Sequence, residues 1–595
     1  MIAELPTALV LIASGLALPL TPRRVRPLLA AVAPLLAFAH LLWIGPGVRI
    51  EAQVFGFPLT LVRTDALSLA FGYVFTIAAF INAVFSWRVR QGVEPPAALV
   101  YAGAALAAIF AGDLLTLFVF WEISALASAL VIWSGPGRGA YGAGMRYLAV
   151  QLGSGMLLAA GAALHYADTG SLAFGEIGAA SPGGLLLLLA FGAKCAFPLL
   201  HNWLQDAYPE ASATGTVVLS AFTTKLGIYA LARGFPGTEA LIWVGATMAA
   251  FPIFYAVIEN DLRRVLAYSL NNQLGFMVVG IGLGTDLGLN GAVAHAIADI
   301  LFKGLLFMSM GAVLLRAGSV KASELGGLYK SMPWTTGMCM IGAASISAFP
   351  LFSGFVTKSM IMTSAAQEGH FVVWLVLLFA SAGVFHHAGI KIPFFAFFGH
   401  DSGIRCREAP PHMLVAMGLA AVLCVGIGLW PAALYSILPR PVDYAPYTSS
   451  HVLAQLQLLV FSALAFAWLM RSGIYPPELR STNLDSDWLY RRLGVRLVDA
   501  LGRAQQTLAA RFAATAVAFG AAAADATRRL HGIDGVLART WSTGAMALWV
   551  AIVLAAYLLV YFAEDTEPEF LFLLVLPFAI AGLGLWADRR EDAKR

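Results

Sequence analysis

The sequence predicts an all-α polytopic membrane protein of about 16–17 transmembrane helices, and three observations carry that reading. Of 595 residues, 59% are hydrophobic and 12% are charged, against roughly 25% charged in soluble domains; the mean hydropathy is +0.79. About 17 separate runs approach the roughly 20 apolar residues that a helix needs to cross the hydrocarbon layer. They centre near residues 12, 36, 75, 104, 124, 155, 194, 222, 249, 274, 303, 348, 383, 422, 461, 552 and 578. Lysine and arginine, finally, fall in alternate loops between these runs.

Taken in order, the first run, MIAELPTALVLIASGLALPL, carries Glu4 and no basic leader, so it reads as a span rather than a cleaved signal. Arg23, Arg24 and Arg26 follow span one, Arg88 and Arg90 span three, and Arg138 and Arg146 span five. Arg263 and Arg264, then Arg316, Lys321 and Lys330, then Arg405 and Arg407 continue the alternation. The loops between them hold acidic residues such as Asp168, Glu176, Asp286, Glu368 and Glu564. Short basic loops stay on the cytoplasmic side, so the amino terminus is expected outside and the carboxyl terminus in the cytoplasm, in a bacterial inner membrane.

The chain divides into amino-terminal helices over 1–64, a core over 65–430, an additional span over 431–471, an arginine-rich segment over 472–541, and a carboxyl-terminal helix pair with a basic tail over 542–595. The alanine-rich stretch 495–530 should be helical. It would lie along the cytoplasmic membrane surface or on a neighbouring subunit, or serve as a solvated basic linker.

Composition excludes ordinary soluble enzymes. A net charge of only +4 that sits in the loops excludes nucleic-acid binding. Cys195, Cys339, Cys406 and Cys424 are far apart and form no CxxC pair, so no disulfide framework, zinc site or iron–sulfur cluster is expected. His386 and His387 lack a third ligand. The loop Gly280–Gly288, GIGLGTDLG, follows no strand and is better explained by helix packing and a turn than by a dinucleotide. There is no GxxxxGK[ST] loop for ATP. Neither a cofactor nor a metal is expected.

One internal echo stands out. AFPL occurs at Ala196–Leu199 and again at Ala348–Leu351, each time within an apolar run and near a lysine, Lys194 or Lys358. Pro198 and Pro350 would break their helices, and a broken helix in the membrane is tolerated only where the loosened backbone faces protein or a wet cavity. Paired broken helices mark transporters built from repeats.

Ionised groups at membrane depth cost a few kcal/mol even on lenient scales, which makes them functional candidates. This chain has Glu122, Lys194, Lys225, His295, Asp299, Lys303 and Lys358 in its apolar runs. His295, Asp299 and Lys303 recur every four residues and form one helix stripe about 12 Å long, the geometry of a proton ladder. Ser212, Thr216, Ser220 and Thr224 line one face beside Lys225 and could bridge titrating groups with trapped water. The plainer alternatives are a static Glu122–Lys194 ion pair and a hydrogen-bonded core histidine at 295. Lys391, near the end of its span, is expected to snorkel to the surface and stand outside the path.

The stretches DLLTLFVFWEISAL (113–126), FGAKCAFPLLHNWLQDAYPEASATGTVVLSAFTTKLGIYAL (191–231), NDLRRVLAYSLNNQLGFM (260–277), HAIADILFKGLLFMSMGAV (295–313) and FPLFSGFVTK (349–358) resemble the antiporter-like subunits shared by Mrp-type Na⁺/H⁺ antiporters and the membrane arm of respiratory complex I. The resemblance implies two inverted five-helix repeats, each with one broken helix. It also implies a proton route in which Glu122 of the WE motif pairs with Lys194, with Lys225, Lys303 and Lys358 completing the route. Asp299 stands where complex I members often carry a second histidine, and Lys358 in its GFxxK context is closer to the D-type member of the Mrp complexes. The segment LDSDWLYRRL (484–493) and the arginine-rich helix only loosely resemble the lateral extension of the largest complex I subunit.

The expected function is therefore a proton-translocating subunit of a multisubunit cation/proton antiporter, exchanging a monovalent cation such as Na⁺ and partnered by other membrane subunits, with no catalytic chemistry of its own. An alternative attaches the same channel to a complex I-like or hydrogenase-like quinone oxidoreductase or to a CO₂-hydrating complex. A third reading, an intramembrane transferase using His295, does not need lysines in both halves.

Overall fold

Helices make up most of the computed structural model, which describes residues 6–54, 56–479, 483, 485–533, 535 and 543–562. In chain order they are α1 (Thr7–Ala17), α2 (Arg26–Ile44), α3 (Ala66–Phe85), α4 (Glu94–Phe110), α5 (Leu114–Trp133), α6 (Gly139–Thr169) and α7 (Pro182–Lys194). There follow α8 (Asn202–Ala207), α9 (Gly215–Gly234), α10 (Glu239–Ile258), α11 (Leu262–Leu283), α12 (Asp286–Ala317), α13 (Pro333–Ile346) and α14 (Ser353–Gln367). The series ends with α15 (Phe371–Val384), α16 (Pro411–Leu429), α17 (Pro431–Tyr435), α18 (Ser449–Ser472), α19 (Val495–His531) and α20 (Thr543–Phe562). Among the described residues, eleven helices are long and apolar enough to cross a membrane, by length and composition.

Every centre expected from the hydropathy falls on one of these helices or at a break within one, except that near 578, which lies outside the described residues. The all-α polytopic class is borne out. One element was not anticipated: a hairpin of β1 (Arg49–Val54) and β2 (Phe57–Arg63), paired antiparallel from Arg49 opposite Arg63, joins α2 to α3. Two π-helical turns, Phe385–Lys391 and Phe394–Phe398, follow α15.

Local sequence explains most boundaries. Asp65 caps α3 in a reciprocal capping box with Ser68, Asp113 accepts from Thr116 N at the start of α5, and Thr285 accepts from Gly288 N at the start of α12. Each satisfies an orphan N–H of a first turn. Gly170, Gly318 and Gly473 end α6, α12 and α18 in the left-handed conformation.

The two AFPL segments break their helices in the same way. Ala196 and Leu199 have φ of 63° and 68°, and Ala348 and Leu351 have φ of 58° and 76°; among the described residues these four alone are non-glycine at positive φ. An L-residue there costs roughly 1–2 kcal/mol, a strain repeated at the same two places of the same motif.

Helices α9 and α12 lie at the centre of the packing. α9 is buried along its whole hydrophobic length and α12 along nearly all of it. Such depth leaves no lipid-facing side on which a polar residue could hide, so every ionisable group on them must find a protein partner or water. α10 and α11 approach so closely that a Cβ at Gly245 or Gly275 would meet the other helix's backbone, the small-residue contact typical of membrane helices.

The chain separates into two compact units, residues 1–488 and 489–595. In the second, α19 spans about 55 Å at 1.5 Å per residue and covers the stretch expected to be helical. Leu497, Leu501, Leu508, Phe512 and Phe519 share one stripe. All five are exposed within this unit.

Candidate functional site

Lys194 is the last residue of α7, immediately before the first break, and has no exposure. Its ammonium donates to Trp121 O at 3.2 Å and Ser124 Oγ at 3.1 Å, and lies 4.2 Å from the centre of the Trp121 ring. The expected direct pair with Glu122 is not formed. Glu122 Oε1 is buried without a hydrogen-bond partner, turned towards α6, where a Cβ on Gly155 would overlap it. The reason is geometric. Trp121 and Glu122 are adjacent on α5 and point about 100° apart, so a lysine seated on Trp121 meets Glu122 through space rather than in contact.

From Lys194 a series of hydroxyls leads to α9. Ser124 receives the lysine, Ser128 Oγ donates to Ser124 O at 2.7 Å and meets Tyr147 Oη at 2.8 Å, and Tyr147 Oη lies 3.1 Å from Thr223 Oγ1. Tyr101 joins at the same threonine. Two residues on stands Lys225, which donates to Ser220 O at 3.1 Å and pairs with Asp299 Oδ2 at 2.6 Å; both side chains are wholly buried. The stripe Ser212, Thr216, Ser220 and Thr224 behaves differently from expectation. Thr216 and Ser220 spend their hydroxyls on the carbonyls of Tyr208, Ser212 and Val217, whereas Thr224 Oγ1 is buried without a protein partner.

The three groups on α12 are all fully buried, yet they do not touch one another in a ladder. Asp299 reaches α9, Lys303 donates to Ser269 Oγ of α11 at 2.8 Å, and His295 holds Gln273 Oε1 of α11 at 3.1 Å through Nε2 and Thr357 Oγ1 of α14 at 3.0 Å through Nδ1. One helix face thus distributes three titratable groups among three neighbours. Lys358, on α14 past the second break, donates to Ile346 O at the end of α13 (3.1 Å) and lies 4.9 Å from the Phe276 ring centre.

Lys391 corrects another expectation. It does not snorkel: it has no exposure and donates to Val257 O at 2.6 Å, Glu259 O at 2.7 Å and Ala256 O at 3.3 Å. It thus caps the carbonyl end of α10 while pairing with Glu478 at 2.9 Å. The π-helical turn that carries it rotates the side chain inward.

Sequence reasoning missed the amide and hydroxyl partners Gln273, Ser269 and Thr357. The run LNNQ at 270–273 was a usable signal, because uncharged polar residues inside an apolar helix also need partners. It missed too that the segment after α18 folds back on the core. Asp485 accepts from Tyr268 Oη at 2.9 Å and contacts His201 Nε2 at 3.1 Å, and Asn483 donates to Glu259 at 3.2 Å. Burial would raise the Asp485 carboxyl, but the hydrogen bond and charge of His201 outweigh it and hold it below the usual carboxylate range.

Buried lysines, an aspartate, a histidine and hydroxyls in the interior of the helix bundle fit proton translocation. Known proteins agree with that geometry. Residues 111–384 match the family described as NADH:quinone oxidoreductase/Mrp antiporter, transmembrane. The chain is 27% identical to hydrogenase-4 component B of Escherichia coli over 64% of this chain and 65% of that protein. It is 28% identical to the D-type Na⁺/H⁺ antiporter protein of Bacillus subtilis over 56% of this chain and 68% of that one. It is 31% identical to the N-type NADH-quinone oxidoreductase protein of Desulforudis audaxviator, over 56% and 73% respectively. The chain thus spans about two thirds of the length of these curated relatives. Among solved structures, a chain of the archaeal membrane-bound sulfane sulfur reductase matches with a TM-score of 0.69 at 22% identity, over 93% of this chain and all of that one. A chain of the Mrp complex from Dietzia matches at 0.65 and 22% identity, over 78% and 98%. These structures share the fold. The chain belongs to the NADH:quinone oxidoreductase/Mrp antiporter transmembrane family.

Proposed function

We propose that this chain is the proton-translocating subunit of a multisubunit Na⁺/H⁺ antiporter, inserted in a bacterial inner membrane with its amino terminus outside and its arginine-rich loops in the cytoplasm. The observation that carries the reading is the series of buried groups that crosses both halves without leaving the interior. It runs from Lys194 through the hydroxyls to Lys225–Asp299, and then over Lys303 and His295 to Lys358. Moving a proton onto or off any member changes the field at the next, and in a low-dielectric interior that coupling is strong. Glu122, whose Oε1 is buried without a hydrogen bond, acts as the charge that biases the first lysine. Na⁺ is the cation named by the B. subtilis relative.

The test is exchange in vesicles holding the full complex. Glu122→Ala or Lys194→Ala should abolish Na⁺-driven proton movement; unchanged exchange with normal assembly contradicts the proposal. A second reading, the proton channel of a redox complex, is supported by the likeness to the hydrogenase and NADH-quinone oxidoreductase proteins. Proteins that co-purify decide between the two: small membrane subunits favour the antiporter, iron–sulfur proteins the redox complex.

A further inference from the structure

Between α13, the two π-helical turns and α18 lies a cavity of about 900 Å³ that the route above does not use. Met340 and Phe349 line one side, Phe394 and Phe398 the floor, and Ala467 and Arg471 the third side. Of all its lining residues, Arg471 alone carries a charged or hydrogen-bonding side chain. Met340, Phe349 and Phe398 are exposed, so the cavity opens on the outside of the bundle. It exists because α18 stands off from the core. Only Leu459 and Phe466 of the 24 residues of α18 are buried. Gln455 Nε2 donates to Ser347 O beside the second break at 3.2 Å, and the Phe466 ring packs against Phe394 with centres 5.5 Å apart.

The two ends of the cavity lie at different depths. Phe349 belongs to the second AFPL break, inside an apolar run. Phe398 stacks on the exposed Tyr329 with ring centres 5.7 Å apart. Next to Tyr329 stands Lys330, which shares Asp401 with Arg405. A tyrosine among basic residues marks the headgroup level. Between these levels the fourteen residues of α13 rise about 21 Å, a reach comparable with one leaflet, about half of the ~30 Å hydrocarbon layer.

These features say what fills the space. Water would find no hydrogen-bond partners along the apolar walls, and a dry void costs stability in proportion to its volume. A spanning helix of a neighbouring protein, about 30 Å long and about 10 Å across, is larger than the cavity. Its volume is that of a small-molecule site, roughly 300–1,000 Å³, and at membrane depth the molecules at hand are acyl chains. Charge points the same way. Arg471 lies in the last turn of α18, and among the described residues no carboxylate pairs with its guanidinium, which leaves that group for a phosphate.

We propose that this cavity holds one phospholipid, with its phosphate on Arg471 and its chains running along α13 towards the second break. The lipid is a packing element of the fold. It fills the gap beside α18, the helix whose Gln455 holds the Ser347 carbonyl.

The test uses the complex purified through a tag on this chain and reconstituted in vesicles of phosphatidylethanolamine and phosphatidylglycerol. A fraction of each lipid carries a photoactivatable diazirine at the end of one chain. One sample is irradiated in the vesicles; another is first taken into detergent and washed free of exchangeable lipid. Adducts are then mapped by peptide mass spectrometry. Those on residues 340–352 should survive the wash within about twofold, while those elsewhere on the chain fall at least about tenfold. A fall in step with the rest means ordinary boundary lipid only, and no adducts at 340–352 even in vesicles means that another protein covers the cavity; either result overturns the proposal. Arg471→Gln should lower the washed adducts at least about fivefold, and unchanged retention overturns the phosphate seat. Ala467→Trp, which fills the cavity, should remove the washed adducts, and their persistence overturns the site. The comparison of washed and unwashed samples needs only the unaltered complex, so it stands where a variant fails to assemble.

Discussion

The two broken helices use the same four-residue motif with the same backbone, yet their lysines stand on opposite sides of it. Lys194 closes the first half-helix, two residues before AFPL, whereas Lys358 lies in the second half-helix, ten residues after the start of its AFPL. Both ammoniums nevertheless end on a backbone carbonyl and beside an aromatic ring, Trp121 O with the Trp121 indole and Ile346 O with Phe276. What the repeat preserves is a cation lodged among carbonyls and a π-face at a helix interruption. Aromatic quadrupoles and unpaired carbonyls hold positive charge without supplying a fixed counter-ion, so the lysine can lose its proton without leaving an unpaired carboxylate. The contrast is Lys225, which sits on an unbroken helix with Asp299 in contact.

The largest expected effect tests that contrast. Lys225→Ala leaves Asp299 buried and alone, and should destabilise the chain by about 3–5 kcal/mol, read as a fall in the thermal midpoint. Lys225→Met with Asp299→Leu should recover most of that stability but none of the transport. Lys194→Met and Lys358→Met, which strand no carboxylate in contact, should cost far less stability than Lys225→Ala.

A smaller effect is expected in the first half alone. Gly155→Ala intrudes on the space of Glu122 Oε1, whereas a Cβ at Gly153 has nothing within 4 Å. Exchange should fall about tenfold in the first variant, equivalent to about 1.4 kcal/mol, and stay unchanged in the second. Equal activities would show that the seat of Glu122 does not matter.

The segment after α18 that folds back on the core gives a pH dependence. The folded carboxyl of Asp485 titrates below its unfolded value. Its contribution to holding this segment is present above the usual carboxylate pKa of about 3.9 and is lost as the pH falls through the lower, folded value. Hydrogen exchange over 485–488, corrected for intrinsic rates, should therefore rise on acidification into that range. It should already be raised at neutral pH in Asp485→Asn.

The smallest effect concerns the breaks. Ala196→Gly and Ala348→Gly relieve an L-residue at positive φ and should stabilise by up to about 1 kcal/mol, after the entropy lost to glycine. Ala190→Gly, in the ordinary helix of α7, should destabilise. A loss at 348 with a gain at 196 would mean that the two breaks are alike in shape but not in strain.

Much of this was legible in the sequence for particular reasons. Runs of apolar residues located the spans because lipid demands them, and AFPL located both breaks because proline and its repetition are visible in one dimension. Buried charges announced themselves by their rarity. Their pairings did not: Lys225 and Asp299 are 74 positions apart and meet through the crossing of α9 and α12, while helical phase decides which of the neighbours Trp121 and Glu122 a lysine touches. Lys391 looked like a snorkelling residue because its depth depends on a π-helical turn, which no periodicity signals. The fold-back after α18 was hidden because Glu478 and Asp485 lie in a segment whose composition reads as solvated linker.

The central claim is that one buried route uses both halves. Cation-driven proton flux should be measured in vesicles holding the full complex, for Lys194→Ala and Lys358→Ala side by side. The account predicts that either variant alone abolishes flux while the complex assembles normally. Wild-type flux in either one, with normal assembly, would contradict it.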